Sequence, residues 1–362
     1  MPRLPTKLIL KAYKENPLLV HLIKECRILE HARNELRWLY EGAVAKVVNT
    51  GTSFRELDSH YITRRWQQEL RRMCTERGRG KPLQYILGGQ PFGELEIICQ
   101  KGVLIPRAET ESYTLHARDV ILKGHHAENF RKSLRILDLC SGSGCISLLL
   151  HSLLASDIKD LTIVGVDVDP HAIKLSQKNK LHNIRRGLLS SRAENDVFFL
   201  QADILHSIQS AKSSFMSTLQ DQFHTSSTQN MWDVLISNPP YISPANLVNG
   251  MTSRSVRKYE PIKALVPPVI DSSIWQDWGL EHVAREDIFY TTLLSLAYRL
   301  HVKVTVLECG DLEQARRVVA MAHALFEQVA DSSKQRVYIW NDCYAVNDTD
   351  GGARAVVIER LS

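Results

Sequence analysis

The chain has no run of about 18 consecutive apolar residues, which excludes a membrane-spanning helix. It also has no C-x-x-C pair. Its seven cysteines, Cys26, Cys74, Cys99, Cys140, Cys145, Cys309 and Cys343, are odd in number and scattered. That pattern argues against a disulfide framework or a zinc site and for reduced thiols in an intracellular compartment. No cluster of histidines and cysteines at ligand spacing occurs, so no metal is expected. Neither sign of charge dominates. The net charge of +5 and the pI near 8.7 permit an acidic or nucleic-acid-associated partner without requiring one. Internal repeats are absent. What is present is a globular composition, 44% hydrophobic over 362 residues, enough for a full-sized core and about two domains.

From Leu18 to about Arg79 the pattern is helical. Leu19, Leu22, Ile23 and Cys26 recur at three- and four-residue spacing, and Ala32, Leu36 and Leu39 follow the same rule. Ser53 and Glu56 make a capping box for a helix from Phe54. Residues 1–80 therefore read as a small helical domain. Between Phe54 and Lys81, eight basic residues (Arg55, Arg64, Arg65, Arg71, Arg72, Arg77, Arg79, Lys81) accompany four acids, a solvated helix face or a docking surface. The first fourteen residues carry Arg3, Lys7, Lys11 and Lys14 with no acid before Glu15. Two readings stand side by side there: a mitochondrial targeting segment, or the basic first helix of the domain.

Residues 81–112 change character. Gly88, Gly89, Pro91, Gly93 and Pro106 interrupt any helix, while Leu95, Ile97, Val103 and Ile105 suggest short strands around a turn at Lys101-Gly102. This predicts a β-hairpin linker. Residues 113–362 then alternate. Strands are expected at 134–139, 163–168, 197–200, 234–237 and 302–307, helices at 145–154, 170–180, 288–300 and 312–325, and closing strands at 335–340 and 353–360. Such alternation predicts an α/β, Rossmann-like doubly wound sheet with its ligand site at the strands' carboxyl ends. Two insertions interrupt it, a Ser/Thr/Gln-rich one at 206–231 and another at about 271–287.

Four strand ends carry groups able to hold a ligand. Cys140-Ser141-Gly142-Ser143-Gly144 is a glycine turn between strand and helix, in which backbone can approach a ligand closely. Asp167 ends the next strand, where a carboxylate can accept both ribose hydroxyls of an adenosine. Asp203 ends the third, placed for an adenine amino group, with Ile204 beside it for the ring. The fourth ends in Asn238-Pro239-Pro240-Tyr241. Two prolines forbid both further pairing and an immediate helix. The Asn238 oxygen and a proline carbonyl can accept the two N–H bonds of a planar NH2 group, and Tyr241 can cover its face. These residues alone leave open a nucleobase amino group or a side-chain amide.

The glycine turn, the two acids and Asn-Pro-Pro-Tyr together resemble a class I S-adenosylmethionine-dependent methyltransferase acting on an exocyclic or amide nitrogen. Lys81-Pro82-Leu83-Gln84-Tyr85-Ile86-Leu87-Gly88, Val103-Leu104-Ile105-Pro106-Arg107-x-Glu109-Thr110-Glu111, Tyr259-Glu260-Pro261 and Leu307-Glu308-x-Gly310 further resemble the HemK-type protein-(glutamine-N5) methyltransferases of peptide chain release factors. The resemblance implies that Cys140, Ser141, Gly142, Ser143, Gly144, Asp167, Asp203, Ile204 and Asn238 hold S-adenosylmethionine. It implies that Asn238, Pro239, Pro240 and Tyr241 grip the target glutamine, with Asn238, Pro239 and Tyr241 catalytic. It implies a release factor as partner, a helical domain for substrate recognition, no nucleic-acid substrate, and a monomer in mitochondria or cytoplasm. The competing enzyme reading is an N6-adenine or N2-guanine methyltransferase of RNA or DNA, and a non-catalytic binding protein is the third. Cys140 departs from the glycine that many relatives carry, so its backbone is less free.

Overall fold

The computed structural model describes residues 3–49, 59–205, 219, 232–270, 283–328, 334–341 and 353–361. They fall into two compact units. One comprises residues 1–90, 99–101 and 252–260, the other 91–98, 102–251 and 261–362.

The first unit is helical: α1 (Thr6–Glu15), α2 (Leu19–Cys26), α3 (Leu29–Asn49), α4 (Ser59–Gly78) and the short α5 (Leu83–Leu87). The apolar spacing produces its core directly. Leu22, Ile23, Leu39, Ala43 and Met73 are fully buried together, and Ala12 brings α1 into the same cluster. The proposed capping box at Ser53–Glu56 lies outside the described residues. Part of the basic run turns inward or pairs locally. Arg77 makes a two-pronged ion pair with Glu35 at 2.7 and 2.8 Å, and Lys81 pairs with Glu76 at 2.7 Å. The short helix Arg254–Tyr259 belongs to this unit although it is distant in sequence. Ser255 Oγ donates to the Gly80 carbonyl and Arg254 pairs with Glu25, both at 2.8 Å, which ties this helix to the amino-terminal ones.

The second unit is built on a seven-stranded sheet. Its strands are β3 (Ser133–Leu139), β4 (Asp160–Asp167), β5 (Val197–Gln201), β6 (Val234–Ser237), β7 (Val304–Glu308), β8 (Gln335–Asn341) and β9 (Ala353–Arg360), in the order β5-β4-β3-β6-β7-β9-β8. β3 to β7 run parallel, and β9 is antiparallel to both its neighbours, as the expected final hairpin requires. The residues joining β8 to β9 lie outside those described. Strand alternation sorts the apolar side chains onto two faces. Ile136, Ile163, Val234, Ile236, Val304 and Val306 enter one core with α6 (Ala108–Lys123) and α8 (Cys145–Leu154); Leu137, Leu139, Val164, Val166, Leu235 and Leu307 enter the other with α11 (Ile288–Arg299) and α12 (Leu312–Gln328). A sheet covered on both faces keeps its parallel strands apolar throughout. Register pairs Leu139 with Ser237 and Asp167 with Gln201, so the carboxyl ends of β3 to β6 finish nearly level. The chain leaves β3 toward β4 on one side and returns to β6 on the other, which opens the crevice there.

The hairpin corrects the expected one. Its strands are β1 (Gly89–Phe92) and β2 (Leu95–Ile98), with the turn at Gly93-Glu94 and not at Lys101-Gly102. Val103 and Ile105 do not pair as a strand. The reason lies in α9 (Pro170–Arg185). Asn183 accepts from the Glu96 amide at 2.9 Å and donates to the Glu96 carbonyl at 3.0 Å, while Asn179 accepts from the Ile98 amide at 2.8 Å. Helix side chains thus satisfy the edge that a third strand would have used, and Val103 and Ile105 are buried without forming a strand.

Candidate active site

The ends of β3, β4, β5 and β6 converge on one cavity of about 580 Å3. A volume of that size suits a nucleoside-sized molecule. Cys140 to Ser143, Asp167, Asp203, Ile204, Asn238 and Pro240 line it, together with Thr110 and Arg107 at the start of α6 and apolar groups from Val103 to Pro106. Of the residues singled out in the sequence, Gly144, Pro239 and Tyr241 stand behind this lining.

The glycine turn is held by three backbone links. Ser141 N donates to the Val166 carbonyl at 2.9 Å, Gly144 N to the Ser141 carbonyl at 2.8 Å, and Gly142 N to Asp167 Oδ2 at 2.9 Å. The path requires left-handed φ at Gly142 (+53°) and Gly144 (+78°). At Gly144 a Cβ would meet the Phe199 ring at 2.7 Å, so helix and sheet could not approach as they do. At Gly142 no atom lies within 4 Å of the Cβ position, leaving backbone open to the cavity. Cys140 also takes a left-handed φ of +64°, a strain that a glycine there would avoid.

Asp138, near the end of β3 just ahead of the glycine turn, faces the core. It is fully buried, and its Oδ2 accepts from Ser147 N at 3.1 Å and Ser147 Oγ at 2.6 Å, so it caps α8. Burial pushes its carboxyl up to about 7 against those two bonds. Asp167 is placed differently. Its Oδ1 accepts from Asp169 N at 2.8 Å and its Oδ2 from Gly142 N, and each oxygen keeps a second lone pair. Burial raises its pKa against both backbone donors. Asp203 is exposed and turns Oδ1 toward Leu205 N at 2.9 Å, while Ile204 is buried at 5% exposure.

Beneath Asn238 lies a network the motifs did not announce. Asn238 Nδ2 donates to Thr110 Oγ1 at 3.1 Å, and Thr110 Oγ1 donates to Glu308 Oε2 at 2.9 Å. Tyr241 Oη donates to the other carboxylate oxygen at 3.1 Å. Glu308 ends β7 and is buried, and burial pushes its carboxyl up to about 7 although both hydroxyls favour the ionised form. Burial also holds the Tyr241 phenol well above its ordinary pKa, so it remains a donor. The Tyr241 ring rests on Gly310, where a Cβ would come within 3.0 Å of it. Gln314 Nε2 holds the Tyr241 carbonyl at 3.2 Å and Asp287 Oδ1 at 3.0 Å, and Arg317 Nε anchors Asp287 at 2.5 Å. Tyr241 thus fixes the turn from behind.

Two observations fit an adenosine-bearing cofactor in the cavity. Gly142 offers uncovered backbone, and Ser141 Oγ is a buried hydroxyl with no hydrogen-bond partner among the described residues. No group of three or more His, Cys, Asp or Glu among the described residues is arranged to hold a metal ion.

A doubly wound sheet of this order with an antiparallel seventh strand, a glycine turn after its central strand and acids at the next two strand ends defines a class I S-adenosylmethionine-dependent methyltransferase. No protein-family model matches the chain. Over 264 residues it is 35% identical to the probable MRF1 mitochondrial N(5)-glutamine methyltransferase mtq1 of Schizosaccharomyces pombe, covering 73% of each chain. It is likewise 35% identical over 267 residues to the mitochondrial MRF1 N(5)-glutamine methyltransferase MTQ1 of Saccharomyces cerevisiae, covering 74% of this chain and 68% of that one. The release factor glutamine methyltransferase of Dictyoglomus turgidum is 32% identical, covering 64% of this chain and 68% of its own. The chain belongs to the release factor N(5)-glutamine methyltransferase family. Among solved structures, the amino-terminal domain of human METTL16 with SAH gives a TM-score of 0.45 at 15% identity, covering 79% of this chain and 83% of that one, too distant to add to the argument.

Proposed function

We propose that this chain transfers a methyl group from S-adenosylmethionine to the side-chain amide nitrogen of the glutamine in a release factor's Gly-Gly-Gln motif. One observation carries the reading: in a chain of this family, Asn238 opens onto the cavity with its Nδ2 committed to Thr110, so its Oδ1 is left to accept. The cofactor supplies an electrophilic methyl group on a sulfonium. Cys140 to Gly144, Asp167, Asp203 and Ile204 are assigned to holding it, Asp167 at the ribose and Ile204 against the adenine. Asn238 lies near both the cofactor and the substrate.

An amide nitrogen is a poor nucleophile because its lone pair is delocalised. Asn238 Oδ1 and a proline carbonyl of the turn each accept one of its N–H bonds, which orients the lone pair toward the methyl carbon. Pro240 shapes the wall and Tyr241 braces the turn. The amide nitrogen becomes acidic once methylated, so its spare proton can leave after transfer, and catalysis rests on positioning and electrostatics. The helical unit, residues 1–80 in the first instance, is assigned to substrate recognition. We place the enzyme in mitochondria, with the cytoplasm as the other compartment. The names of the two yeast relatives support that placement.

Purified protein given methyl-labelled S-adenosylmethionine should label a release factor and leave RNA and DNA unlabelled. Label on nucleic acid alone would refute the reading. A fluorescent protein fused to the first thirty or so residues tests the compartment; a diffuse cytoplasmic signal would refute mitochondrial targeting by that segment.

A further inference from the structure

The relay from Glu308 to Asn238 contains more than support. A hydroxyl has one proton to give. Thr110 gives it to Glu308 Oε2, and toward Asn238 it can then only accept, which obliges Asn238 to present Nδ2 to Thr110 and Oδ1 elsewhere. Asn238 Oδ1 has no partner among the described residues, while Asn238 lines the cavity. An ionised carboxylate two side chains away thereby dictates which end of the amide the substrate meets.

We propose that Glu308 is a positioning residue whose ionised carboxylate, acting through Thr110, holds the Asn238 amide with its oxygen toward the substrate nitrogen, and that protonating Glu308 releases this orientation. This rests on the glutamine methyltransferase reading of the site. A protonated Glu308 is itself a donor, so Thr110 can turn its hydroxyl proton to Asn238 Oδ1. The amide then presents NH2 to the cavity, and a substrate NH2 meets donors in place of an acceptor. No bond to carbon changes; only the direction of two hydrogen bonds reverses.

The surroundings place this switch within reach of ordinary pH. Burial pushes the Glu308 carboxyl up to about 7, the Thr110 and Tyr241 hydroxyls oppose that rise, Glu109 adds to it, and Arg107 opposes it. The other polar groups facing it are neutral. Tyr113 of α6 and Tyr290 of α11, whose Oη donates to the Glu308 carbonyl at 2.7 Å, are held protonated by burial, as are Cys145 and Cys309. The active orientation is therefore filled as pH rises through about 7 and emptied below it.

The test is kcat and KM for release-factor methylation between about pH 5.5 and 9, in wild type, Glu308→Gln, Thr110→Ser and Thr110→Val. Wild type should gain activity through a limb near neutrality. Glu308→Gln should be weaker and lose that limb. Thr110→Ser keeps the relay and should stay within about fivefold of wild type with the limb intact, while Thr110→Val should lose about 100-fold. A profile flat from pH 6 to 8 in wild type, a limb that survives in Glu308→Gln, or full activity in Thr110→Val would overturn the proposal. A second readout needs no turnover: the Asn238 side-chain NH2 resonances should shift with pH in wild type and in Thr110→Ser, and stay fixed in Glu308→Gln. If the wild type methylates no release factor but these resonances titrate as described, the substrate reading fails and the relay stands. If it methylates and they do not titrate, the relay fails.

Discussion

Asp138 and Glu308 are the same chemistry at two strand ends with opposite consequences. Each is a carboxyl of 0–2% exposure, each is pushed to about 7 by burial, and each accepts from a hydroxyl, Ser147 in one case and Thr110 in the other. Ser147 sits in α8, so the bonds of Asp138 end inside the core and tie a helix to its strand. Thr110 in turn accepts from Asn238, a side chain in the cavity wall. A buried carboxyl is therefore read by where its partners' remaining atoms lead, since the shift in its pKa is alike in both settings.

The sharpest way to separate the two regions is to remove what each one serves. Asn238→Ala should reduce methyl transfer by about 100- to 1000-fold with the melting temperature unchanged, as measured by initial rates and calorimetry. Asp138→Ala should do the reverse. It strands the amide and hydroxyl of Ser147 in the core, at a cost of about 4 kcal/mol in urea unfolding, and spares the pH at which activity rises.

A subtler comparison uses pH. Burial raises the folded-state pKa of Glu308 from 4.5 to about 7, so its contribution to stability is fully present below about 4.5 and is lost as pH rises to about 7. Glu308→Gln should remove that loss and gain about 3 kcal/mol on wild type between pH 5 and pH 8, seen in unfolding curves across pH. Asp138→Asn should flatten the same curve, from 3.8 to about 7, but only the Glu308 variant should also change the activity profile. The smallest effect belongs to the glycine turn. Cys140→Gly relieves a left-handed residue at φ +64° and should raise stability by about 1 kcal/mol; a fall would mean that the side chain's packing outweighs the strain.

Much of the sheet was legible because its strands are short apolar runs ended by Gly, Asp or Pro, and the glycine turn and the acids at 167 and 203 announce themselves by chemistry at strand ends. The hairpin was misplaced because two glycine turns, at 93 and 102, offered equal local signals. Asparagines more than eighty residues later decide between them by occupying the edge of β2. α6 escaped notice because its buried face includes Thr110 and Thr114, which blur a helical apolar stripe. The relay beneath Asn238 joins residues 110, 238 and 308, and such a contact has no local trace. Its sequence clues were that Thr110 and Glu308 each lie in a motif of the family resemblance, Glu308 as the acid ending a largely apolar strand.

The central claim is that Asn238 presents an acceptor to a glutamine amide beside the methyl donor. Tandem mass spectrometry of a release factor incubated with S-adenosylmethionine and either wild type or Asn238→Ala tests it directly. The account predicts one methyl group on the side-chain nitrogen of the Gly-Gly-Gln glutamine with wild type and almost none with the variant, while both bind S-adenosylhomocysteine. Equal methylation by the two proteins, or a methyl group on any other residue, would contradict it.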